Sequence, residues 1–540
     1  MRIRGQHRPT TLSARGLVRY DLVMADATPQ AGPADLVNLA DTRFGATMLY
    51  CTDDFFASMD NLLRADKPIF IDGKYTDRGK WMDGWESRRK RVPGHDYAIM
   101  RLGVPGVVRA VVLDTAFFRG NYPQAFSLEG ASIVGYPSVD EIVRGEGVVW
   151  TELVPKTNLE GDKEQVFEVP AQARVTHLRL HIYPDGGVAR MRVLGDVLPH
   201  PRWMGRPGAA VDLAQVEHGA RVVACNDMFF GSRHNLIMPN RAANMGDGWE
   251  TKRSRREGPD WVLVQLACAG VVERVVLDTL HFKGNSPESA ELSVADAQGK
   301  DPLSLPESAW TVILPRKKLL PHTEHTFDEE LVAQVRATHA RLRIWPDGGV
   351  SRMRLFGPAT ADGREASGLG YLNALANAEA RAAFLSCAKS TAWAEAMLAA
   401  RPFASLDALH AQADAAWAKV SDRDYDDAFS AHPRIGERKA SASAASLLWS
   451  RGEQAKVDDA SDAARDELAR VNAEYEKKFG RTYIVCATGR TAEEMLEIAK
   501  GRLGNDAKAE FAAAAAEQRK ITALRLDKLV IGHARQGASK

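Results

Sequence analysis

Through the first two thirds of the chain, apolar residues alternate with polar ones or come in short blocks. Examples are Ala98-Ile99-Met100-Arg101-Leu102, Val107-Val108-Arg109-Ala110-Val111-Val112-Leu113 and His177-Leu178-Arg179-Leu180-His181-Ile182, with Gly, Pro and Asp between the blocks. A period of two puts successive side chains on opposite faces of a strand, and turn residues between such runs mark short strands joined antiparallel. The pattern changes after Gly357. Pro358 to Gly370 are small and polar, and from Tyr371 the chain is Ala-rich, with Leu372, Leu375, Ala376 and the run Glu379 to Phe384 at helical spacing. Ser461-Asp462-Ala463-Ala464-Arg465 opens a helix that runs towards Phe479 and stops at Gly480, and Thr491-Ala492-Glu493-Glu494 opens another with an N-cap and early acids. The pattern predicts an all-β region followed by an all-α one.

The β region carries the same polar cassette twice, as Asp83-Gly84-Trp85-Glu86-Ser87-Arg88-Arg89 and Asp247-Gly248-Trp249-Glu250-Thr251-Lys252-Arg253. Cys51-Thr52-Asp53-Asp54-Phe55-Phe56 returns as Cys225-Asn226-Asp227-Met228-Phe229-Phe230, and Val111 to Thr115 as Val275 to Thr279. Tyr183-Pro184-Asp185-Gly186-Gly187-Val188 returns as Trp345-Pro346-Asp347-Gly348-Gly349-Val350, each followed by Arg-Met-Arg. Order and spacing hold throughout, so two homologous units stand in tandem. Each reads as an antiparallel β-sandwich of jelly-roll type. The expected organisation is an N-terminal extension at 1–33, repeat 1 at 34–198, repeat 2 at 199–357, a linker at 358–370 and an all-α domain at 371–540. The linker offers few groups to hold a rigid interface, so the two parts are expected to fold and act independently. The extension is Arg-rich and acid-poor; it reads as a disordered tail or as a start assigned upstream of Met24 rather than as a transit peptide.

Composition narrows the class. With 540 residues, 45% hydrophobic, and a formal charge of +1, the chain can fill several cores and has no general attraction to nucleic acid or to a membrane surface. Five scattered cysteines without a Cys-x-x-Cys pair point to reduced thiols and a cytoplasmic setting. No apolar run approaches the length of a membrane helix.

The chemistry-bearing residues of the first repeat are Asp53, Asp54, Asn61, Asp83, Glu86, Arg88 and Arg89. Those of the second are Asp227, Asn235, Asp247, Glu250, Lys252 and Arg253. Carboxylates beside guanidinium groups suit hydrolysis of a small, anionic, nitrogen-rich substrate, because Arg grips a carboxylate with two hydrogen bonds while Asp or Glu moves protons. The plainer alternative makes Asp-Gly-Trp-Glu a turn whose Trp packs in the sandwich and whose charges pair with one another. We set Asp53 against Asn226 and Asp54 against Asp227, so that if one copy alone is catalytic, the first, with both carboxylates, is expected to be it. His177 and His339 recur after Thr on strands, where cross-strand packing is the expected role. No compact metal cluster is visible, although Asp and Glu oxygens remain compatible with a divalent ion.

In the α region, His432-Pro433-Arg434-Ile435-Gly436 and Ser450-Arg451-Gly452-Glu453-Gln454 form the informative cluster. Proline discourages continuation of a helix, so His432 is expected at a helix junction, where it can exchange a proton near neutral pH. A surface or capping histidine is the bland alternative.

Taken together, the Cys-x-Asp-x-Phe-Phe pair, both Asp-Gly-Trp-Glu cassettes, Asp-Thr-x-x-Phe-x-Gly-Asn and Arg-Leu-Arg-Ile-Trp-Pro-Asp-Gly-Gly make residues 35–357 resemble the allantoicases. That resemblance implies two jelly-roll repeats that cleave allantoate to ureidoglycolate and urea. Residues 371–540 resemble the all-helical 2-oxo-4-hydroxy-4-carboxy-5-ureidoimidazoline (OHCU) decarboxylases, which form (S)-allantoin. The motifs are His432-Pro433-x-Ile435-Gly436, Ser450-x-x-Glu453-Gln454, Asn472-x-x-Tyr475-x-x-x-Phe479-Gly480, Tyr483 to Ala487 and Arg502-Leu503-x-Asn505-Asp506. The resemblance implies His432 as the proton donor and Glu453 and Gln454 on the ureido and ring nitrogens. It further implies Arg502 on the substrate's charge, and a pocket lined by Pro433, Ser450 and the backbone of Ile484, Val485, Cys486 and Ala487. It implies no cofactor, small ureide substrates and no nucleic-acid or membrane partner, and a homo-oligomer is compatible with it. Where that family has Leu-Ala-Gly after His-Pro, this chain has Arg434-Ile435-Gly436. The competing reading keeps the decarboxylase but makes the jelly rolls a non-catalytic module that binds a small molecule or carbohydrate.

Overall fold

The computed structural model describes residues 36–170, 172–254, 257–432, 462–488 and 490–533. The expected N-terminal extension lies outside these, as do Pro433, Ser450, Glu453 and Gln454.

Both repeats are two-layered antiparallel β-sandwiches. In repeat 1 the long strand β6 (Asp96–Asp114) belongs to both layers. Its first half pairs with β2 (Thr47–Cys51) and β10 (Arg174–Tyr183), and β10 continues to β7 (Ala125–Ala131) and β8 (Thr151–Asn158). Its second half pairs with β12 (Arg190–Val197) and β9 (Glu164–Glu168), and β12 takes β1 (Val37–Asn38) at its edge. The crossover between layers needs Gly106, where a Cβ would lie 2.2 Å from the Asp196 carbonyl oxygen. Repeat 2 breaks the same strand into β16 (Asp260–Val271) and β17 (Arg274–Asp278), which gives separate sheets of five and four strands. Alternation decides what fills the space between layers: Met100, Val111, Leu113, Leu178, Leu180, Ile182 and Trp85 in repeat 1, and Val262, Val264, Leu277, Leu342, Ile344 and Trp249 in repeat 2. Phe44 and Val197 pack against both cores, so the repeats meet over an apolar seam.

The C-terminal part is helical. Helices α2 (Ala361–Ala374) to α6 (Asp422–Ser430) and the long α9 (Ala507–Ile531) close around Phe384, Trp393 and Trp417. Helices α7 (Asp462–Phe479) and α8 (Ala492–Arg502) build a second cluster around Val471, Tyr475 and Met495.

The expected linker is instead structured. Strand β23 (Arg352–Pro358) ends the second repeat, and α2 starts at Ala361 with Thr360 capping the Gly363 N–H. Gly363 lies so close to β16 that a Cβ would stand 2.3 Å from the Ala269 carbonyl oxygen. Arg364 is buried and donates to the carbonyls of Met204 (2.9 Å), Gly205 (3.0 Å) and Arg206 (2.8 Å) in the connection between repeats. Arg174 of repeat 1 lies over the Tyr371 ring, Ser132 donates to Glu379, and Arg336 of repeat 2 pairs with Asp362. Small residues, read from composition as flexible, are there because helix and sheet come close. The helical domain is docked on both repeats, and the stretch read as a linker is part of that contact.

Candidate active sites

The recurrent motifs of each repeat converge at one end of its sandwich. In repeat 1 the cassette strand β5 (Trp85–Glu86) pairs with β11 (Gly187–Val188), so the cassette lies beside the Asp-Gly-Gly turn. Gly186 has φ 135°, a conformation that favours glycine, and a Cβ on Gly187 would stand 1.9 Å from the Phe118 ring. The turn therefore requires Gly-Gly. Asp185 accepts the Lys90 N–H at 2.7 Å and ties down the end of the cassette. Repeat 2 copies the arrangement with β15 (Trp249–Glu250), β22 (Gly349–Val350), Phe282 and Asp347, which accepts the Ser254 N–H at 2.7 Å.

Within this frame the acids divide by role. Asp83 is buried and takes Arg190 (2.8 Å), Arg64 (3.1 Å) and the Ile69 N–H (2.9 Å); Asp247 takes Arg352 (3.0 Å), Arg43 (3.0 Å) and the Ala243 N–H (3.1 Å). Asp53 accepts the N–H groups of Phe55 and Arg88 and pairs with the Arg88 guanidinium. Burial alone would raise its pKa, but the hydrogen bonds from Arg88 outweigh that and hold it below the usual range. Asp227 does the same with Phe229 and Lys252, and each Trp indole donates to the Asp carbonyl, at 2.9 Å in both copies. These carboxylates spend their oxygens on loop architecture.

The same bonds correct the alignment of the two copies. Asp53 corresponds to Asp227, and Asp54 corresponds to Met228. The shared Asp is the one that caps its loop, and the extra acid of repeat 1 is Asp54.

Glu86 and Glu250 are placed differently. Each is half-buried and accepts from an asparagine on the neighbouring loop: Asn121 Nδ2 to Glu86 Oε1 at 2.7 Å, and Asn285 Nδ2 to Glu250 Oε1 at 2.5 Å. Burial raises the Glu86 pKa against the lowering effect of Asn121, so this side chain holds a proton at higher pH than an ordinary glutamate. Arg89 and Arg253 are exposed and make no ion pair among the described residues. Sequence reasoning passed over Asn121 and Asn285, although they stand in the recurrent Asp-Thr-x-x-Phe-x-Gly-Asn motif. It also passed over Arg190 and Arg352 in Arg-Met-Arg. Their repetition was the available signal.

The repeats differ at the rim. Between the matched residues Asn61–Asp83 and Asn235–Asp247, repeat 1 is ten residues longer. The extra segment forms the hairpin β3 (Tyr75–Thr76) and β4 (Gly79–Lys80), where a Cβ on Gly79 would stand 3.6 Å from the Phe56 ring.

His177 and His339 are nearly buried in their sheets, and each ring meets its preceding Thr hydroxyl, at 2.8 and 2.9 Å. Burial depresses both pKa values to about 4. Among the described residues no group of three or more His, Cys, Asp or Glu is arranged to hold a metal ion.

In the helical domain, consecutive residues of α9 reach the two parts of the expected pocket. Gln518, fully buried, accepts from His432 Nε2 at 2.9 Å. Glu517 accepts the Cys486 N–H at 2.7 Å and pairs with Arg490. Burial opposes its ionisation, yet the Cys486 N–H and the cations of Lys520 and Arg490 hold its pKa down. Residues 483–487 are all buried. Arg502 is buried too. Its Nε donates to Glu510 at 2.9 Å and its Nη1 to the Ile484 carbonyl at 2.7 Å, so its guanidinium fixes the 483–487 segment from behind. The structure thus brings His432, the 483–487 backbone and, through it, Arg502 together around α9. Sequence reasoning missed Gln518 and Glu517, which sit in an Ala-rich helix without a repeated or motif-like signal.

Comparison with known proteins completes the picture. The allantoicase repeat family model matches residues 37–198 and 211–360, and the OHCU decarboxylase family model matches residues 373–527. A probable allantoicase from Pseudomonas aeruginosa (strain UCBPP-PA14) is 46% identical over 325 residues, 59% of this chain and 95% of that protein. The crystal structure of allantoicase from Saccharomyces cerevisiae is 33% identical with a TM-score of 0.51, covering 59% of this chain and 92% of that one. A crystal structure of OHCU decarboxylase in the presence of (S)-allantoin is 36% identical with a TM-score of 0.24, covering 27% of this chain and 96% of that one.

Proposed function

The chain belongs to the allantoicase family through its two β repeats and carries an OHCU decarboxylase domain behind them, and from this premise we propose how each part acts. The pairing of these domains makes it a bifunctional enzyme of purine degradation. The β part is assigned as an allantoate amidinohydrolase and the helical part as a carboxy-lyase that delivers (S)-allantoin.

The observation that carries the first assignment is the Glu–Asn pair, present in both repeats and surrounded by acids that are already spent. In allantoate cleavage one C–N bond at the central carbon breaks, water supplies the hydroxyl of ureidoglycolate, and the departing urea nitrogen takes a proton. A glutamic acid is suited to give that proton, and as glutamate it can take the proton from water; at Glu86 burial raises the pKa and favours the first role. The exposed Arg89 and Arg253 are proposed to draw in the substrate carboxylate. Asp53, Asp83, Asp227 and Asp247 hold the loops on which these groups stand.

In the helical part, loss of carbon dioxide leaves negative charge on the ring carbon, where neighbouring C=N and carbonyl groups spread it. A proton delivered to one face then fixes the stereochemistry. His432, oriented by Gln518, is the proposed donor; Glu453, Gln454 and the backbone of residues 484–487 are proposed to hold the substrate. The purified chain should release urea from allantoate and give optically active allantoin from freshly generated OHCU. Saturable binding of allantoate without urea would leave the jelly rolls as a binding module.

A further inference from the structure

One cation crosses from the first repeat into the second. Arg43 lies on the short 3₁₀ turn Thr42–Phe44 of repeat 1, where Asp41 grips its Nε (3.2 Å) and Nη2 (2.8 Å). Its Nη1 reaches across the seam and donates to Asn235 Oδ1 at 2.8 Å and Asp247 Oδ1 at 3.0 Å. Those two acceptors organise the second cassette. Asn235 Nδ2 donates to the carbonyls of Gly246 (3.2 Å) and Gly248 (3.1 Å), and Asp247 also receives Arg352. The loop they brace runs directly into Glu250.

Repeat 1 performs the same task with its own residue. Arg64 donates to Asp83 Oδ1 at 3.1 Å, and the residue matching Arg64 in repeat 2 is Met238. Both close a 3₁₀ turn with nearly the same backbone, φ −58° and ψ 136° at Arg64 against φ −64° and ψ 146° at Met238. Among the described residues no side chain makes the reverse crossing. The residue matching Arg43 in repeat 2 is Glu217, of opposite charge, which accepts from Gln215 at 2.5 Å.

We propose that Arg43 is a positioning residue through which repeat 1 sets the geometry of the Glu250–Asn285 pair, so that the second site depends on the first repeat while the first site carries its own brace. This rests on the reading of Glu250 as catalytic. A guanidinium fork spanning an amide and a carboxylate fixes both in one plane, and a shift of the loop by an ångström costs turnover through misplacement rather than through loss of binding.

The test uses the full chain carrying Glu86→Gln, in which the remaining urea release reports repeat 2. Adding Arg43→Ala should lower kcat about tenfold to a hundredfold with little change in KM. Adding Met238→Arg to that chain, which rebuilds in repeat 2 the brace used by repeat 1, should restore most of it. Where this last variant does not fold, added methylguanidinium takes its place as the rescue. An unchanged kcat in Arg43→Ala overturns the proposal, as does loss that neither Met238→Arg nor methylguanidinium repairs. Adding Glu250→Gln instead separates the two failures: if the remaining turnover survives it, or if Glu86→Gln alone leaves none, the reading of Glu250 falls and the proposal with it.

Discussion

Lowering the pH should unfold the β domain through two histidines that are expected to stay neutral. His177 and His339 are 7% and 4% exposed, and His339 Nε2 is buried with no hydrogen-bond partner among the described residues. Protonation would place a charge, and for His339 a donor without an acceptor, inside the sandwich. Burial is the main cause of their low pKa, helped by the charges of Arg101 near His177 and Arg221 near His339. The folded values are about 4 against 6.5 for an ordinary histidine. The folded pKa is depressed, so the unfolded chain binds more protons between these values and stability falls as pH drops from 6.5 towards 4. A unit of pH within that window costs about 1.4 kcal/mol per histidine, so moving from pH 7.5 to 5.5 removes roughly 1.4 kcal/mol for each and about 3 kcal/mol for both. Urea titrations of wild type, His339→Asn and the double variant with His177→Asn should show the difference. Asparagine cannot protonate in this range, so each replacement should remove about 1.4 kcal/mol from the loss on acidification, whatever it does to stability at pH 7.5. Other titrating groups cancel in that difference. An equal loss in wild type and double variant would refute the reasoning.

Glu86→Gln and Glu250→Gln keep volume and remove the exchangeable proton, so at least one should lower urea release by about two orders of magnitude, the usual weight of general acid-base catalysis; full activity in both would make the cassette purely architectural. His432→Asn should abolish enantioselective formation of allantoin while leaving allantoate cleavage intact, and Gln518→Leu, which frees the ring, should lower it partly. Polarimetry is the readout, because uncatalysed decay gives a racemate. Arg364→Met strips three carbonyls of a charged donor, worth about 1.5–3 kcal/mol for each such bond. Calorimetry should then show the helical domain melting apart from the β domain, and an unchanged thermogram would mean that α2 docks without it.

The repeats, the strand-rich character of the first part and the helical character of the last were legible because each rests on local signals: alternation, turn residues and a cassette that occurs twice. What stayed hidden depends on partners distant in sequence. Pro358 to Gly370 reads as linker because small polar residues suit both a flexible chain and a close helix–sheet contact; only Ala269 opposite Gly363 decides. Setting Asp53 against Asn226 is a slip of one position, since Cys51 to Phe56 matches Cys225 to Phe230 residue by residue; the N–H groups that the acids accept confirm Asp53 with Asp227. Glu86 stood out in the cassette, but its partner Asn121 comes from a loop thirty-five residues on. Arg43 gave no signal at all, since its role exists in one repeat only. His432 carried a motif; the glutamine that orients it lies eighty-six residues away, just after a run of five alanines in a helix without a motif-like signal.

Docking of the helical domain on both repeats raises the question of what nearness could accomplish, and chemistry restricts the answer. The helical part is assigned a product that is a ring, allantoin, and the β part a substrate that is the opened acid, allantoate. A hydrolytic ring opening must come between them, and neither candidate site is assigned that step. Direct handover of product across the seam would therefore deliver the wrong molecule. What the interface can do is mechanical. Arg364 ties α2 to the connection between repeats, while Arg174 on one repeat and Arg336 on the other meet Tyr371 and Asp362. A body fastened to both repeats resists their sliding, and the Arg43 brace on the second cassette is a contact that sliding would break. Weakening the dock should therefore be felt at Glu250 before it is felt at Glu86, whose brace lies within its own repeat.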